Sequence, residues 1–350
     1  MSKHSPPSRA ARLTLAAGLA WTAAACATAP RPAPPGAAPP IAASIRVRHD
    51  GRISTVPIDR YAAIVALTEL APGAEPPATA AALYEAQIIV ARTYAASRRR
   101  RHAAEGFDLC DTTHCQRYEA ARTRTGRWAA LARDIATRTS GRVLVYGTSL
   151  VEAVFHADCG GHTAAAEDVW RTARPYLTAR RDDAGPHRQW QSALARDAVA
   201  RALNADQRTR LAGPLRDIAV AARDRSGRAR RVRITAGPRG AAPVELDRDA
   251  LERRGNSPRL SSASRELERE VDGDVFRAAL AATLGVRALP STRFDLARAG
   301  SGWRATGTGF GHGVGLCQAG ALARARKGSS AAEILSFYYP GAIIGRAAAR

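Results

Sequence analysis

Gly309-Phe310-Gly311-His312-Gly313-Val314-Gly315-Leu316-Cys317-Gln318-Ala319-Gly320-Ala321, close to the C-terminus, places glycine at every second position from Gly309 to Gly315. Glycine at this density allows backbone geometries and close approaches that a Cβ forbids. Such a segment is either a tight structural turn or the wall of a site where substrate lies against the main chain. His312 and Gln318 supply polar groups that a turn alone does not require. From Gln318 the pattern turns helical to about Lys327, and a short helix follows from Ala331 to Tyr338.

Working outward, residues 44–58 alternate apolar and polar around Asp50-Gly51, a hairpin signature. Asp59 is read as the cap of an apolar helix from Arg60 to Leu70, stopped by Pro72 and Gly73. A second helix runs from about Thr79 to Arg101, and another covers roughly 125–139. Between them, residues 106–118 form a polar loop carrying Asp108, Cys110, Asp111, His114, Cys115, Gln116 and Tyr118. Strands are expected at 142–146 and 150–156, leading into the loop from His156 to Thr163. Residues 190–206 read as helix, 214–248 as antiparallel strands, about 272–284 as helix, and 292–297 and 302–306 as strands. The expected fold class is therefore α+β, with helices and antiparallel strands forming a groove whose polar groups come from four loops distant in sequence.

The chain has 350 residues and a formal net charge of +22. Its only lysines are Lys3 and Lys327, and apart from Arg98 to Arg101 the arginines are scattered. No nucleic-acid motif accompanies the charge, so no nucleic-acid partner is expected; an anionic wall or membrane surface is the alternative to a purely compositional origin. Arg9 and Arg12 precede an apolar run from Leu13 to Ala25, a secretory signal pattern too short to span a bilayer as a mature helix. Ala23-Ala24-Ala25 directly before Cys26 resembles a bacterial lipobox, which makes Cys26 the expected lipidation site; cleavage near Ala27-Thr28-Ala29 is the alternative. The expected organisation is a signal segment over 1–26, a disordered Pro/Ala-rich tether over 27–43, and one catalytic domain over 44–350, its helical half about 59–139. The expected location is the periplasm or cell envelope, with a lipid anchor in the membrane.

Glu69 stands at the end of a helix otherwise made of apolar residues. There it faces the negative pole of the helix dipole, and apolar neighbours disfavour its charged form. Both effects suit a general acid working near neutral pH. Cys110, His114 and Cys115 offer metal-ligand chemistry, as do His156, Cys159 and His162. Export equally favours a disulfide, such as Cys110–Cys115 or a link to Cys159.

The segments YAAIVALTEL, EAQIIVARTYA, DLCDTTHCQRY, VFHADCGGHTAAAEDVW, STRFDL and GTGFGHGVGLCQAGALARA resemble, in order and spacing, the stage II sporulation protein D family (SpoIID/LytB type) over about 45–346. The resemblance implies a peptidoglycan lytic transglycosylase, or an amidase enhancer, acting on glycan strands stripped of stem peptides. It places Glu69 on the family's catalytic glutamate, with Thr68-Glu69-Leu70 where Gly-Glu-Met is usual. Gln87 and Arg92 would line the groove, Gln116 and Tyr118 would contact substrate from the polar loop, and His312 and Gln318 fall on the Gly-His-Gly…Gln element. Cys317 stands where serine is common, and Phe310 replaces a frequent tryptophan. Some relatives hold zinc around the first loop, so structural zinc at Cys110, His114 and Cys115 is one expectation, although the implied reaction requires no cofactor. A second carboxylate from Glu152, Asp158, Glu167 or Asp168 would make the reaction hydrolytic. An amidase partner belongs to the non-catalytic alternative, and a zinc-dependent wall hydrolase is a third.

Overall fold

A computed structural model describes residues 38–238 and 267–349. The expected signal segment, Cys26 and most of the tether lie outside the described residues, as does the stretch after 238 expected to continue the strands. The end of the expected tether belongs to the fold: Ala38–Ile41 is a strand pairing in parallel with Ile343–Ala349.

The helices carry the site. Ile58–Glu69 follows Pro57 and buries nearly every side chain from Tyr61 to Thr68. Asp59 is not its cap. It lies in the first turn, and its two carboxylate oxygens accept from Arg92 at 2.6 Å and from Ser140 at 2.6 Å. Pro77–Ser97 begins on proline, whose missing N–H costs nothing in a first turn. These two helices pack with Ala129–Arg138, Gln318–Arg326 and Ala331–Tyr338 into one apolar core. The last of these helices starts on a capping box, Ser330 with Glu333.

Around that core run a sheet ordered 38–41, 343–349, 142–146, 149–150 and another ordered 52–57, 44–49, 109–110. A second apolar core gathers Val199, Leu203, Val232, Ile234, Phe276, Leu280, Phe294 and Trp303. It is enclosed by the sheets 267–272, 229–236, 215–223 and 294–299, 302–308, 189–194, with helices Arg196–Ala205 and Gly273–Leu284. The helix expected from 190 splits here: Gln189–Leu194 is a strand antiparallel to Trp303–Thr308, and only Arg196–Ala205 is helical. Its burial alternates along the chain, a period of two that six residues of mixed propensity do not announce.

Arg92 overturns one expectation. It does not face a groove: the side chain is fully buried. Nε donates to Asp59, Nη1 to the carbonyl of Arg142 at 3.0 Å, and Nη2 to the carbonyl of Ala136 at 3.0 Å and to Thr139 Oγ1 at 3.3 Å. A guanidinium out of water must satisfy all its donors within the protein, and this one ties three helices and a strand. Arg92→Met, which leaves Asp59 and the carbonyls without their donor, is expected to lower unfolding free energy by about 3–5 kcal/mol in denaturant titration. Arg181→Ala, at an exposed pair with Asp183, should leave the midpoint where it is.

Candidate functional site around Glu69

The first helix stops at Glu69 because Leu70 turns extended, its N–H still reaching the carbonyl of Ala66. The polar loop is strapped across that end. The amide of Arg117 donates to Glu69 Oε1 at 2.9 Å, and the amide of Glu119 donates to Thr68 Oγ1 at 3.2 Å. Tyr118, between them, turns inward and stacks on Tyr61 at 5.3 Å with planes 14° apart. Burial pushes the Glu69 carboxyl above the usual range, against the lowering effect of the Arg117 amide and charge. Glu119 is the carboxylate that adds to the rise, although it is held in ion pairs by Arg117 and Arg122, each at 2.8 Å. Sequence reading passed over Glu119, whose only signal is its place beside Tyr118.

The four carboxylates considered as partners are engaged elsewhere. Glu152 pairs with Arg98 and Arg174, Glu167 and Asp168 with Arg225, and Asp158 with His187. Gln116 is buried with neither amide atom partnered among the described residues. Gln87 is buried too; its Oε1 accepts from Gln318 at 3.5 Å while its Nε2 has no partner among the described residues. Unpartnered buried amides are costly and mark places where water or a ligand is expected to bond.

The glycine-rich loop is built by close backbone approach. Gly313 and Gly315 adopt φ of 85° and 73°, and a Cβ on Gly315 would sit 2.1 Å from the carbonyl oxygen of Val154. His312 Nδ1 accepts from the amide of Val314 at 3.1 Å, which leaves its proton on Nε2. Burial and nearby arginines bring its pKa down to about 4, against the pull of Asp274. Its ring packs on Trp170 at 5.0 Å and His156 at 5.4 Å. Trp170 is partly exposed, an aromatic face beside His312 that the sequence reading did not single out. The structure thus gathers Glu69, Gln116 and Tyr118 at one helix end and pairs Gln87 with Gln318. His312 belongs to a separate ring cluster.

In the polar loop Cys110, His114 and Cys115 are joined by His102, and one donor atom from each lies within 4.8 Å of the others. His102 was missed because it sits among the arginines eight residues before Cys110. Its Nε2 is 3.4 Å from Cys115 Sγ, and its Nδ1 meets the Glu105 carboxylate, the outer partner usual for a metal-bound histidine. Burial opposes the Cys110 thiolate, yet hydrogen bonds from Thr112, Cys115 and His114 outweigh it and bring the thiol down to about 6. The donor set fits zinc. All four described cysteines are free thiols.

Because the folded state disfavours the Glu69 carboxylate, Glu69 contributes stability below its ordinary range and loses it as pH rises through its raised folded value. Glu69→Gln, still able to accept from Arg117, should therefore raise the melting temperature at pH 8 and leave it nearly unchanged at pH 4.

Residues 49–146 match the family model described as Stage II sporulation protein. The chain is 28% identical over 275 residues to an amidase enhancer of Bacillus subtilis, covering 73% of this chain and 37% of that protein. It is 29% identical over 260 residues to an uncharacterized protein of Brachyspira hyodysenteriae, covering 73% of this chain and 59% of the other. A third match, to stage II sporulation protein D of B. subtilis, is 24% identical over 336 residues and covers 92% and 85%. The chain thus spans about two fifths to three fifths of the first two relatives. The segment holding Glu69, the polar loop and both of its strapping amides, residues 49–146, is a SpoIID-family domain.

Proposed function

We propose that the protein cleaves peptidoglycan glycan strands as a lytic transglycosylase, with Glu69 as its single acid and base. The observation that carries this reading is the Glu69 carboxyl itself: half-buried, biased toward its protonated form, and held through Oε1 by a backbone amide. Oε2, without a partner among the described residues, is the oxygen left to carry the proton. Protonated Glu69 gives that proton to the glycosidic oxygen as the C1–O bond breaks. The resulting carboxylate then takes a proton from the C6 hydroxyl of the same muramic acid residue as O6 bonds to C1. A 1,6-anhydro end forms and no water is consumed, so a second free carboxylate is unnecessary. Gln116, Gln87 and Gln318 are assigned to substrate contact and His312 with Trp170 to another part of the strand; Tyr118, buried against Tyr61, anchors the loop instead.

Zinc at His102, Cys110, His114 and Cys115 would fix the loop that carries Gln116 and the Arg117 amide bonded to Glu69. Export through the N-terminal signal and lipidation at Cys26 would place the enzyme at the cell envelope, on strands stripped of stem peptides. The second reading, a wall-binding protein that stimulates an amidase, rests on the relative named amidase enhancer.

The full chain incubated with peptide-free glycan strands should release products ending in 1,6-anhydro-N-acetylmuramic acid, detected by mass spectrometry. Glu69→Gln should slow release about 100-fold or more; release that survives it refutes the assigned role. Reducing ends would mean hydrolysis, and stimulation of an amidase without glycan products would favour the second reading. Gln116→Leu removes two unpartnered buried amide atoms, so it should keep or raise the melting temperature while raising KM.

A further inference from the structure

A second group of metal-type donors lies outside the Glu69 site and outside the polar loop. Asp158, Cys159, His187 and Cys317 each offer one donor atom within 4.8 Å of the other three. They come from three chain segments: the loop after strand Phe155–His156, the segment leading into strand Gln189–Leu194, and the residue before helix Gln318–Arg326. We propose that this cluster is a structural zinc site, with two thiolates, one carboxylate oxygen and one imidazole nitrogen as its complete ligand set.

The surroundings of the four residues already have the form that metal ligands require. His187 Nε2 meets the carbonyl of Asp182 at 2.9 Å, and a carbonyl only accepts, so Nε2 carries a proton. Nδ1 is thereby turned to Asp158 Oδ1 at 2.7 Å and Cys159 Sγ at 4.0 Å, two groups that call for a positive occupant between them. A ring nitrogen fixed by a carbonyl on its far side is the usual arrangement for a metal-bound histidine. Asp158 is held by amides as well: Gly160 donates to Oδ1 at 2.8 Å and Arg188 to Oδ2 at 2.6 Å. Cys317 Sγ accepts from the amides of Cys159 at 3.2 Å and Gly320 at 3.3 Å, which orient the sulfur toward the other donors.

Geometry and charge agree. Ligand atoms around a tetrahedral zinc lie about 3.2–3.8 Å apart, so these donors close on an ion with shifts of about 1 Å or less. Zinc with two thiolates and a carboxylate carries one net negative charge. Arg228, wholly buried beside the cluster, donates to the carbonyl of Cys159 at 2.6 Å and to Thr292 Oγ1 at 3.4 Å, with no carboxylate in ion-pair contact among the described residues. An anionic metal site supplies the counter-charge that a buried guanidinium lacks. Binding displaces the two thiol protons and the Nδ1 proton to solvent, with no change of oxidation state. Four protein ligands leave no open position, which marks a structural rather than a water-activating metal.

Zinc per chain is measured on the full-length protein purified with added zinc. Cys159→Ser/Cys317→Ser should hold one ion fewer than wild type whatever the polar loop binds, and Cys110→Ser/Cys115→Ser should retain about one. His187→Gln keeps both thiols, and so serves if the double serine variant is insoluble; it should lose zinc to a chelator about tenfold more readily. Unchanged zinc content in Cys159→Ser/Cys317→Ser overturns the proposal. So does a Cys159–Cys317 disulfide in peptide maps of unreduced protein that holds no zinc outside the polar loop.

Discussion

Arg92 is the tie on which the placement of Glu69 depends. Its guanidinium sits wholly inside the protein and joins Asp59, in the first turn of one helix, to carbonyls at the end of another and at the start of strand Arg142–Tyr146. Fixing Asp59 fixes the start of the helix, and Glu69 emerges ten residues later, about 15 Å along its axis. The remaining side chains of that helix are almost all apolar and buried, so it has little freedom to roll about its axis. A carboxyl held at the end of such a rod is positioned by core packing rather than by its own hydrogen bonds. The one bond it makes among the described residues, to the Arg117 amide, fixes Oε1.

That division of labour explains what the sequence made legible. Helix ends were readable at Pro72-Gly73, just after the first helix, and over Ala331 to Tyr338, although the Ser330–Glu333 capping box was not singled out. So was the place of Glu69 at the end of that helix, while its role as acid and base belongs to the function proposed above. Arg92 was misread since an arginine in a helix is usually solvated, and only the carbonyls of Ala136 and Arg142, distant in sequence, show what it meets. Strand Gln189–Leu194 was misread for the same reason. Its partner Trp303–Thr308 lies more than a hundred residues on, and its alternation is too short to outweigh the helical residues after it.

The glycine-rich loop is built by close backbone approach, the structural one of the two readings its composition allowed. At Gly315 a side chain would collide with the Val154 carbonyl, so the glycine is structural. Three residues later Gln318 reaches the buried amide of Gln87, so the same loop delivers a polar group to the interior face of the second helix. Alternate glycines let the main chain pass close to the 154–164 loop, and that close passage aims the residues between them.

The two donor clusters share a feature that no single motif displays. Cys115 is followed directly by Gln116, and Cys317 directly by Gln318; Gln116 and Gln318's partner Gln87 have amide atoms unpartnered among the described residues. A thiol anchored by neighbouring donors holds its own backbone, and the next residue inherits that position at no further entropic cost. Glutamine has three side-chain torsions to order, so fixing its backbone removes only part of the freedom that substrate binding must remove. With Gln116 and Gln318 as proposed substrate contacts, the cysteines would act on the groove from behind, through one peptide bond each. On this arrangement a disulfide and a metal are not equivalent. A disulfide joins two residues, whereas an ion at Asp158, Cys159, His187 and Cys317 ties three segments and orients the residue before Gln318.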